Sequence, residues 1–177
     1  AAKCLAFTIL TGCRSGEARG ARWDEIDLAN ATWTIPASRM KAGKEHRVPL
    51  SPPALALLKA QPQAREHVFL SPQGKLLSDA AMTALLRRMK EDHRATVHGF
   101  RSTFRDWMAE RTGTPHEVAE AALAHSIRNG TEAAYRRSDL YAKRARVMDQ
   151  WAAFVTTPTP AGAGNVAPIR GEVATDG

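Results

Sequence analysis

The sequence has little of several residue types, and each shortage excludes a class of protein. Its two cysteines, Cys4 and Cys13, have neither a CxxC spacing nor neighbouring histidines. This excludes a disulfide framework and favours a reducing compartment. No apolar run approaches the roughly 18 residues that a membrane-spanning helix requires, and the chain does not open with a signal-peptide pattern. We therefore expect a soluble cytoplasmic protein with no membrane partner.

Acidic residues are also scarce. The 18 Asp and Glu are outnumbered by 25 Lys and Arg, so the net charge is +7 at pH 7 and the isoelectric point is near 9.9. Such a balance favours a polyanionic partner, above all nucleic acid. Hydrophobic residues at 44% and charged residues at 24% match globular averages, so we expect most of the chain to fold.

The two ends of the chain differ from its middle. Residues 156–177 are rich in Pro, Gly, Ala and Thr and carry a net charge of −1, which predicts a flexible tail. Subtracting this tail from the total leaves +8 on residues 1–155, which we predict to be one domain. The chain opens inside an apolar helical pattern with no capping residue ahead of it, so we expect a piece of a longer protein.

Periodicity and turn residues predict a mainly helical domain with a small antiparallel sheet, an α+β arrangement. Strands at 32–36 and 45–50 form a hairpin with Lys41 near its tip, and 67–70 is a further short strand. Ser51 and the Ser78–Asp79 pair are predicted helix N-caps. Helices are predicted at 1–10, 13–23, 54–60, 78–90, 97–112, 115–123, 131–135 and 138–155.

Two basic segments lie in the first third of the chain. In TGCRSGEARGARW, Arg14 follows a glycine turn at a helix start, and Glu17 is placed to fix its guanidinium. Taken alone, this spacing fits a surface ion pair better than a phosphate site. The second segment, SRMKAGKEHRVPL, fits a solvated basic turn when taken alone; its cations are Arg39, Lys41, Lys44 and Arg47.

Two further segments lie in the helical part. HGFRSTFRDW places His98 and Arg101 one helical turn apart, a pairing that suits proton transfer and charge stabilisation on a phosphate. LAHSIRNGTEAAYRRSDL places His125 at a helix end and Tyr135 ten positions later. Alone, Tyr135 fits an amphipathic packing residue with its hydroxyl in water.

Together, these four segments resemble the catalytic domain of the tyrosine recombinases, specifically the phage-type integrases, over about residues 6–154. TGCRSGE resembles the family's first arginine box. The Lys41 hairpin resembles its lysine turn, and HGFRSTFRDW resembles its His-x-x-Arg box. LAHS and AYRRSDL resemble the segments of the second histidine and the nucleophilic tyrosine. Ala124 stands where many members have glycine, a small-for-small change from which we expect little effect. We also expect the family's N-terminal DNA-binding domains to be missing from this chain.

The resemblance implies a type IB topoisomerase-like fold and an enzyme that breaks and rejoins DNA strands. Tyr135, and not Tyr141, would attack the phosphate and form a 3′-phosphotyrosine. Arg14 and Arg101 would neutralise the phosphate, and His125 would donate a hydrogen bond to it. Lys41 would protonate the 5′-oxygen, with Lys44 as the alternative, and His98 would accept or return the tyrosine proton. Further DNA contacts are expected from Arg39, Lys44, Arg47 and Arg105.

No metal or other cofactor is expected, because the acidic residues form no D-x-D pair and the six histidines lack HxxxH spacing. The implied partner is double-stranded DNA at attachment sites in the bacterial cytoplasm, at the nucleoid. The family acts as a tetramer, whereas we expect this chain alone to be monomeric. The main rival is a non-catalytic DNA-binding or assembly remnant of a prophage integrase. All six catalytic positions are filled, which favours the enzyme.

Overall fold

A computed structural model describes residues 1–125 and 139–158. Its helices and its one sheet confirm the predicted α+β class, and within these ranges no helix has the length and hydropathy that a bilayer span needs. The strands are β1 (Ile26–Asp27), β2 (Thr32–Ile35) and β3 (His46–Pro49). The helices are α1 (Ala2–Thr11), α2 (Ser15–Arg19), α3 (Pro52–Lys59), α4 (Ala81–Arg88), α5 (Gly99–Arg111), α6 (His116–Ala122) and α7 (Tyr141–Thr156).

The sheet is antiparallel, in the order β1-β2-β3. The predicted hairpin is confirmed, with Trp33 opposite Val48 in its centre. β1 was not predicted, because its two residues are too few to show an alternating pattern. The predicted strand at 67–70 is wrong: His67 and Leu70 each form only an isolated bridge.

One predicted helix start is confirmed, and two other helices differ from the prediction. Ser51 is the N-cap residue of α3, as predicted, although its buried Oγ has no hydrogen-bond partner among the described residues. Ala80, and not Ser78 or Asp79, stands at the N-cap of α4, and the Asp79 carboxylate is paired with Arg19. The predicted helix 13–23 is reduced to α2, which ends at Gly20.

Two apolar clusters fill the interior. One packs α1 against the sheet, α3 and α4, with Phe7 and Trp33 fully buried at 5.1 Å between ring centroids. The other joins α5, α6 and α7 around Phe104, Trp107 and Trp151. The indole N–H of Trp151 donates to the carbonyl of Ile9 at 2.7 Å, so α7 is tied to α1 as well. The final helix therefore packs on its own domain.

The N-terminal end of α7 is fixed to the hairpin by polar contacts. Arg144 is 2% exposed; its Nε donates to the carbonyl of Asp139 at 2.7 Å, and one Nη donates to the carbonyl of Arg47. The hydroxyl of Tyr141 is hydrogen-bonded to that of Thr32 on β2. Two buried or half-buried side chains thus hold the chain immediately after residue 138 against the sheet.

His46 starts β3 and lies in an environment that disfavours its charge. The pKa of His46 is lowered from 6.5 to about 4, chiefly by burial and also by the positive charges of Arg144 and Arg101. Glu17 and a backbone hydrogen bond with Ala122 act in the opposite direction but do not outweigh burial. The folded protein therefore keeps this imidazole neutral at neutral pH.

This neutral histidine predicts a loss of stability in mild acid. Between pH 6.5 and about 4 the unfolded chain binds a proton at His46 that the folded chain does not. The free energy of unfolding therefore has its full contribution from neutral His46 above pH 6.5. It falls by on the order of 3 kcal/mol as the pH is lowered towards the pKa of the folded state. Urea unfolding across this pH range should show that loss of stability. His46→Asn should remove this component of the dependence of unfolding free energy on pH. Parallel pH curves for the two proteins would contradict the prediction.

Candidate active site

The turn between α1 and α2 presents Arg14. Gly12 makes this turn with φ 60, and a Cβ at this position would lie 2.5 Å from Phe104 Cδ1. Arg14 is the N-cap residue of α2. The Glu17 carboxylate accepts hydrogen bonds from the backbone N–H of Arg14 at 2.7 Å and from its Nη1 at 2.8 Å. Because Glu17 is itself buried, it holds both the backbone and the guanidinium of Arg14 in one orientation.

Arg101 projects from α5 and joins two other parts of the site. It is 7% exposed; Nη1 donates to the carbonyl of Gly12 at 2.6 Å, and Nη2 donates to the carbonyl of Leu123. Burial, together with the charge of Arg14, lowers the pKa of Arg101 to about 10. Arg101 is still cationic at neutral pH, so two guanidinium groups lie close enough to repel each other.

His125 follows the end of α6, two residues beyond the carbonyl that Arg101 holds. Its Nδ1 is 2.8 Å from Glu120 Oε2, and its side chain is 35% exposed. Ala124 has φ 48, a left-handed conformation that costs an L residue energy and that glycine adopts freely. The Ala124 substitution is therefore less neutral than the sequence suggested, because the backbone before His125 is strained.

The other predicted catalytic residues have no described side-chain contact with this group, although the carbonyl of His98 accepts the backbone N–H of Arg101 at 3.1 Å. His98 is exposed at the N-cap of α5, three residues before Arg101. Lys41 and Lys44 are exposed in the loop between β2 and β3, which Gly43 closes through its N–H to the carbonyl of Met40 at 2.9 Å. Tyr135 lies outside the described residues. The structure thus brings Arg14, Arg101 and His125 together.

Three arginines predicted to contact DNA are already paired with carboxylates. Arg39 holds Glu25 and also donates to the carbonyl of Glu17 at 2.6 Å, which supports the helix that carries Arg14. The other two pairs are Arg47 with Asp139 at 3.4 Å and Arg105 with Glu120 at 3.2 Å. Their contact with DNA stays a prediction. Sequence reasoning missed these acidic partners, because they lie 14 to 92 positions from their arginines. Glu120 also contacts His125, five positions later, and this spacing was the one local signal.

Alternative chemistries have little support in the described ranges. These ranges contain no cluster of three or more His, Cys, Asp or Glu arranged to hold a metal ion. Cys13 adjoins Arg14, but burial raises the pKa of its thiol to about 12, so it is not a thiolate at neutral pH. Among these residues the site is a set of guanidinium and imidazole donors, which suits a phosphate.

Comparison with known proteins identifies the family. The phage integrase family model matches residues 2–140. The chain belongs to the phage integrase family. It is 40% identical to prophage integrase IntA of Escherichia coli K12 over 159 residues, which cover 86% of this chain and 38% of IntA. It is 35% identical to the integrase of Enterobacteria phage P4, over 82% of this chain and 37% of that one. This integrase chain thus spans less than two fifths of the length of these relatives.

Solved structures share the fold. The integrase of mycobacterium phage Brujita matches with a TM-score of 0.66 at 22% identity, covering 90% of this chain and 55% of that protein. The XerH site-specific recombinase bound to its difH substrate matches with a TM-score of 0.53 at 21% identity, covering 78% and 42%. These likenesses confirm the predicted fold class of a recombinase catalytic domain.

The Gly12 turn yields a prediction that separates backbone strain from steric clash. Gly12→Ala places a Cβ both in the left-handed region and against the Phe104 ring, whereas Gly43→Ala at φ 62 meets nothing within 4 Å. We expect Gly43→Ala to cost about 1 kcal/mol of unfolding free energy, and Gly12→Ala to cost about 1–3 kcal/mol more. Denaturant unfolding measures both. Equal losses would show that the Phe104 contact does not constrain this turn.

Proposed function

We propose that this integrase domain breaks and rejoins DNA strands through Tyr135, as the catalytic part of a site-specific recombinase for phage or genomic-island integration and excision. The observation that carries the proposal is the buried Arg101, which joins the Arg14 turn to the His125 segment. The net charge of +7 suits a DNA partner, and the related XerH recombinase was solved bound to its difH substrate.

Phosphate neutralisation is the first requirement of this reaction. A phosphodiester carries a negative charge that repels a nucleophile and grows on the non-bridging oxygens during attack. Arg14 and Arg101 supply positive charge there, and His125 supplies a further hydrogen bond. Because the carboxylate of Glu17 and backbone carbonyls already orient the two guanidinium groups, little reorganisation is needed when the phosphate binds.

Proton transfer is the second requirement. The Tyr135 oxygen forms a bond to phosphorus and loses its proton to His98, while the bond from phosphorus to the 5′-oxygen breaks. Lys41 gives that leaving oxygen its proton. The product is a 3′-phosphotyrosine and a free 5′-hydroxyl, and attack by a 5′-hydroxyl reverses the step. The bond energy is kept, so no ATP and no metal ion enters this scheme.

Double-stranded DNA at attachment sites is the proposed substrate, in the bacterial cytoplasm at the nucleoid. The proposed assembly is a tetramer for strand exchange and a monomer for this chain alone. The alternative is a non-catalytic DNA-binding or assembly remnant. It differs from the proposal in forming no covalent bond to DNA, so one measurement separates the two.

Covalent capture tests the nucleophile. We expect wild-type protein, mixed with supercoiled plasmid and quenched with SDS, to form a slow protein–DNA adduct that Tyr135→Phe abolishes. Tyr141→Phe is the matched control, because its hydroxyl is hydrogen-bonded to Thr32 and we assign it no chemistry. The adduct should form equally well in EDTA.

Three outcomes would contradict this scheme. An adduct that persists in Tyr135→Phe but disappears in Tyr141→Phe would transfer the nucleophile to Tyr141. Cleavage that EDTA abolishes and Mg²⁺ restores would indicate a metal-dependent nuclease. No adduct from the wild-type protein would favour the non-catalytic alternative.

Charge stabilisation predicts a specific pattern for the arginines. Arg14→Ala should slow adduct formation on the order of 10²-fold and change DNA affinity much less, because its guanidinium acts on charge that develops in the transition state. Arg88→Ala, which removes an exposed arginine on α4 with no ion pair among the described residues, controls for lost net charge. Adduct rates and dissociation constants should be measured at one salt concentration. Equal rates for the two variants would remove Arg14 from the site.

A further inference from the structure

Glu120 contacts two basic side chains at the edge of the site. Its Oε2 lies 2.8 Å from His125 Nδ1, and its Oε1 lies 3.2 Å from Arg105 Nε. Its backbone carbonyl also accepts the N–H of His125 at 3.0 Å. One residue therefore holds both the main chain and the imidazole of His125.

The protonation state of Glu120 decides which nitrogen of His125 carries hydrogen. Burial opposes ionisation of Glu120, but hydrogen bonds from His125 and Arg105 outweigh it and leave the pKa of this carboxyl below its usual value. An ionised carboxylate only accepts hydrogen bonds, so Nδ1 of His125 must carry the hydrogen between them. The free nitrogen of the imidazole is then Nε2.

We propose that Glu120 is a positioning residue for the strand-cleavage reaction: it fixes His125 with hydrogen on Nδ1 and directs Nε2 to the scissile phosphate. This inference rests on the proposed function. To donate to a phosphate oxygen, Nε2 must bind a second proton, and the resulting imidazolium lies between two anions, Glu120 and the phosphate. The carboxylate thus compensates the charge on the ring in the state that contacts DNA.

Other charged groups near Glu120 do not replace it in this role. Arg105 donates to the opposite carboxylate oxygen and is cationic, and His116 lies 3.9 Å from that same oxygen. Arg101 is directed to backbone carbonyls. The two arginines have only N–H donors, and the described contact of His116 is with Glu120.

The first test reads the ring directly, without DNA. In ¹⁵N NMR of the full chain with a neutral ring, His125 should show a protonated Nδ1 and an unprotonated Nε2, with its signals assigned by their loss in His125→Ala. Glu120→Ala should move the ring towards the other tautomer. Glu110→Ala, which removes an exposed carboxylate near the end of α5, should leave it unchanged. An unchanged tautomer in Glu120→Ala would overturn the proposal.

The second test measures covalent adduct formation at saturating DNA. Glu120→Ala should slow it roughly tenfold or more relative to Glu110→Ala, and should add little further loss in a His125→Ala background, since the effect passes through that ring. Glu120→Leu, which is similar in size and has no hydrogen-bonding group, provides the same comparison if Glu120→Ala does not fold. Equal rates for Glu120 and Glu110 variants, or fully additive losses with His125→Ala, would overturn the proposal. Failure of the wild-type protein to form any adduct would instead overturn the proposed function, while the NMR result still decides the tautomer.

Discussion

Arg101 donates to the carbonyls of Gly12 and Leu123, and through these two bonds one buried cation joins parts of the chain that are far apart in sequence. Burying an arginine until it is only 7% exposed costs folding free energy unless such partners are present, because the charged group loses its hydration. Carbonyl dipoles compensate part of that cost without cancelling the charge. The site therefore keeps a net positive potential while its loops stay in place.

The close packing beneath Arg101 explains why the turn before Arg14 has no room for a side chain at Gly12. Phe104, on the same helix as Arg101, lies against Gly12 and packs on Trp151 at 5.0 Å between ring centroids. The aromatic cluster of α5, α6 and α7 and the hydrogen bonds of Arg101 thus constrain the same short turn. Apolar packing sets the distance between α5 and the Gly12 turn, and the hydrogen bond from the Arg101 guanidinium sets the orientation of that turn.

Local signals predicted those parts of the fold that local physics determines. The hairpin loop near Lys41 and the glycine turn before Arg14 were both predicted, since glycines adopt the positive φ that these turns need whatever surrounds them. β1 and the loop at 67–70 were mispredicted because pairing with distant strands, and not the residues themselves, decides their conformation. The strain at Ala124 was also invisible, because a left-handed φ at an alanine is imposed by the neighbouring structure. The basic residues of the site could be identified from motifs, whereas most of their carboxylate partners are tertiary neighbours without a sequence signature.

Those carboxylates divide the candidate site into two halves that reach their working geometry differently. Arg14, Arg39, Arg105 and His125 are each held by Glu17, Glu25 or Glu120 before DNA is present. Partly exposed pairs of this kind add little stability, but they fix the direction of planar donor groups, and arginine has enough N–H groups to hold a carboxylate and a phosphate together. Lys41 and Lys44 are exposed and have no ion pair in the described part of the chain. A flexible ammonium is ordered only when it gains a partner. In the proposed function, the half of the site that would bind phosphate is therefore already oriented by carboxylates, whereas the lysines proposed to protonate the leaving oxygen would become ordered only on the DNA.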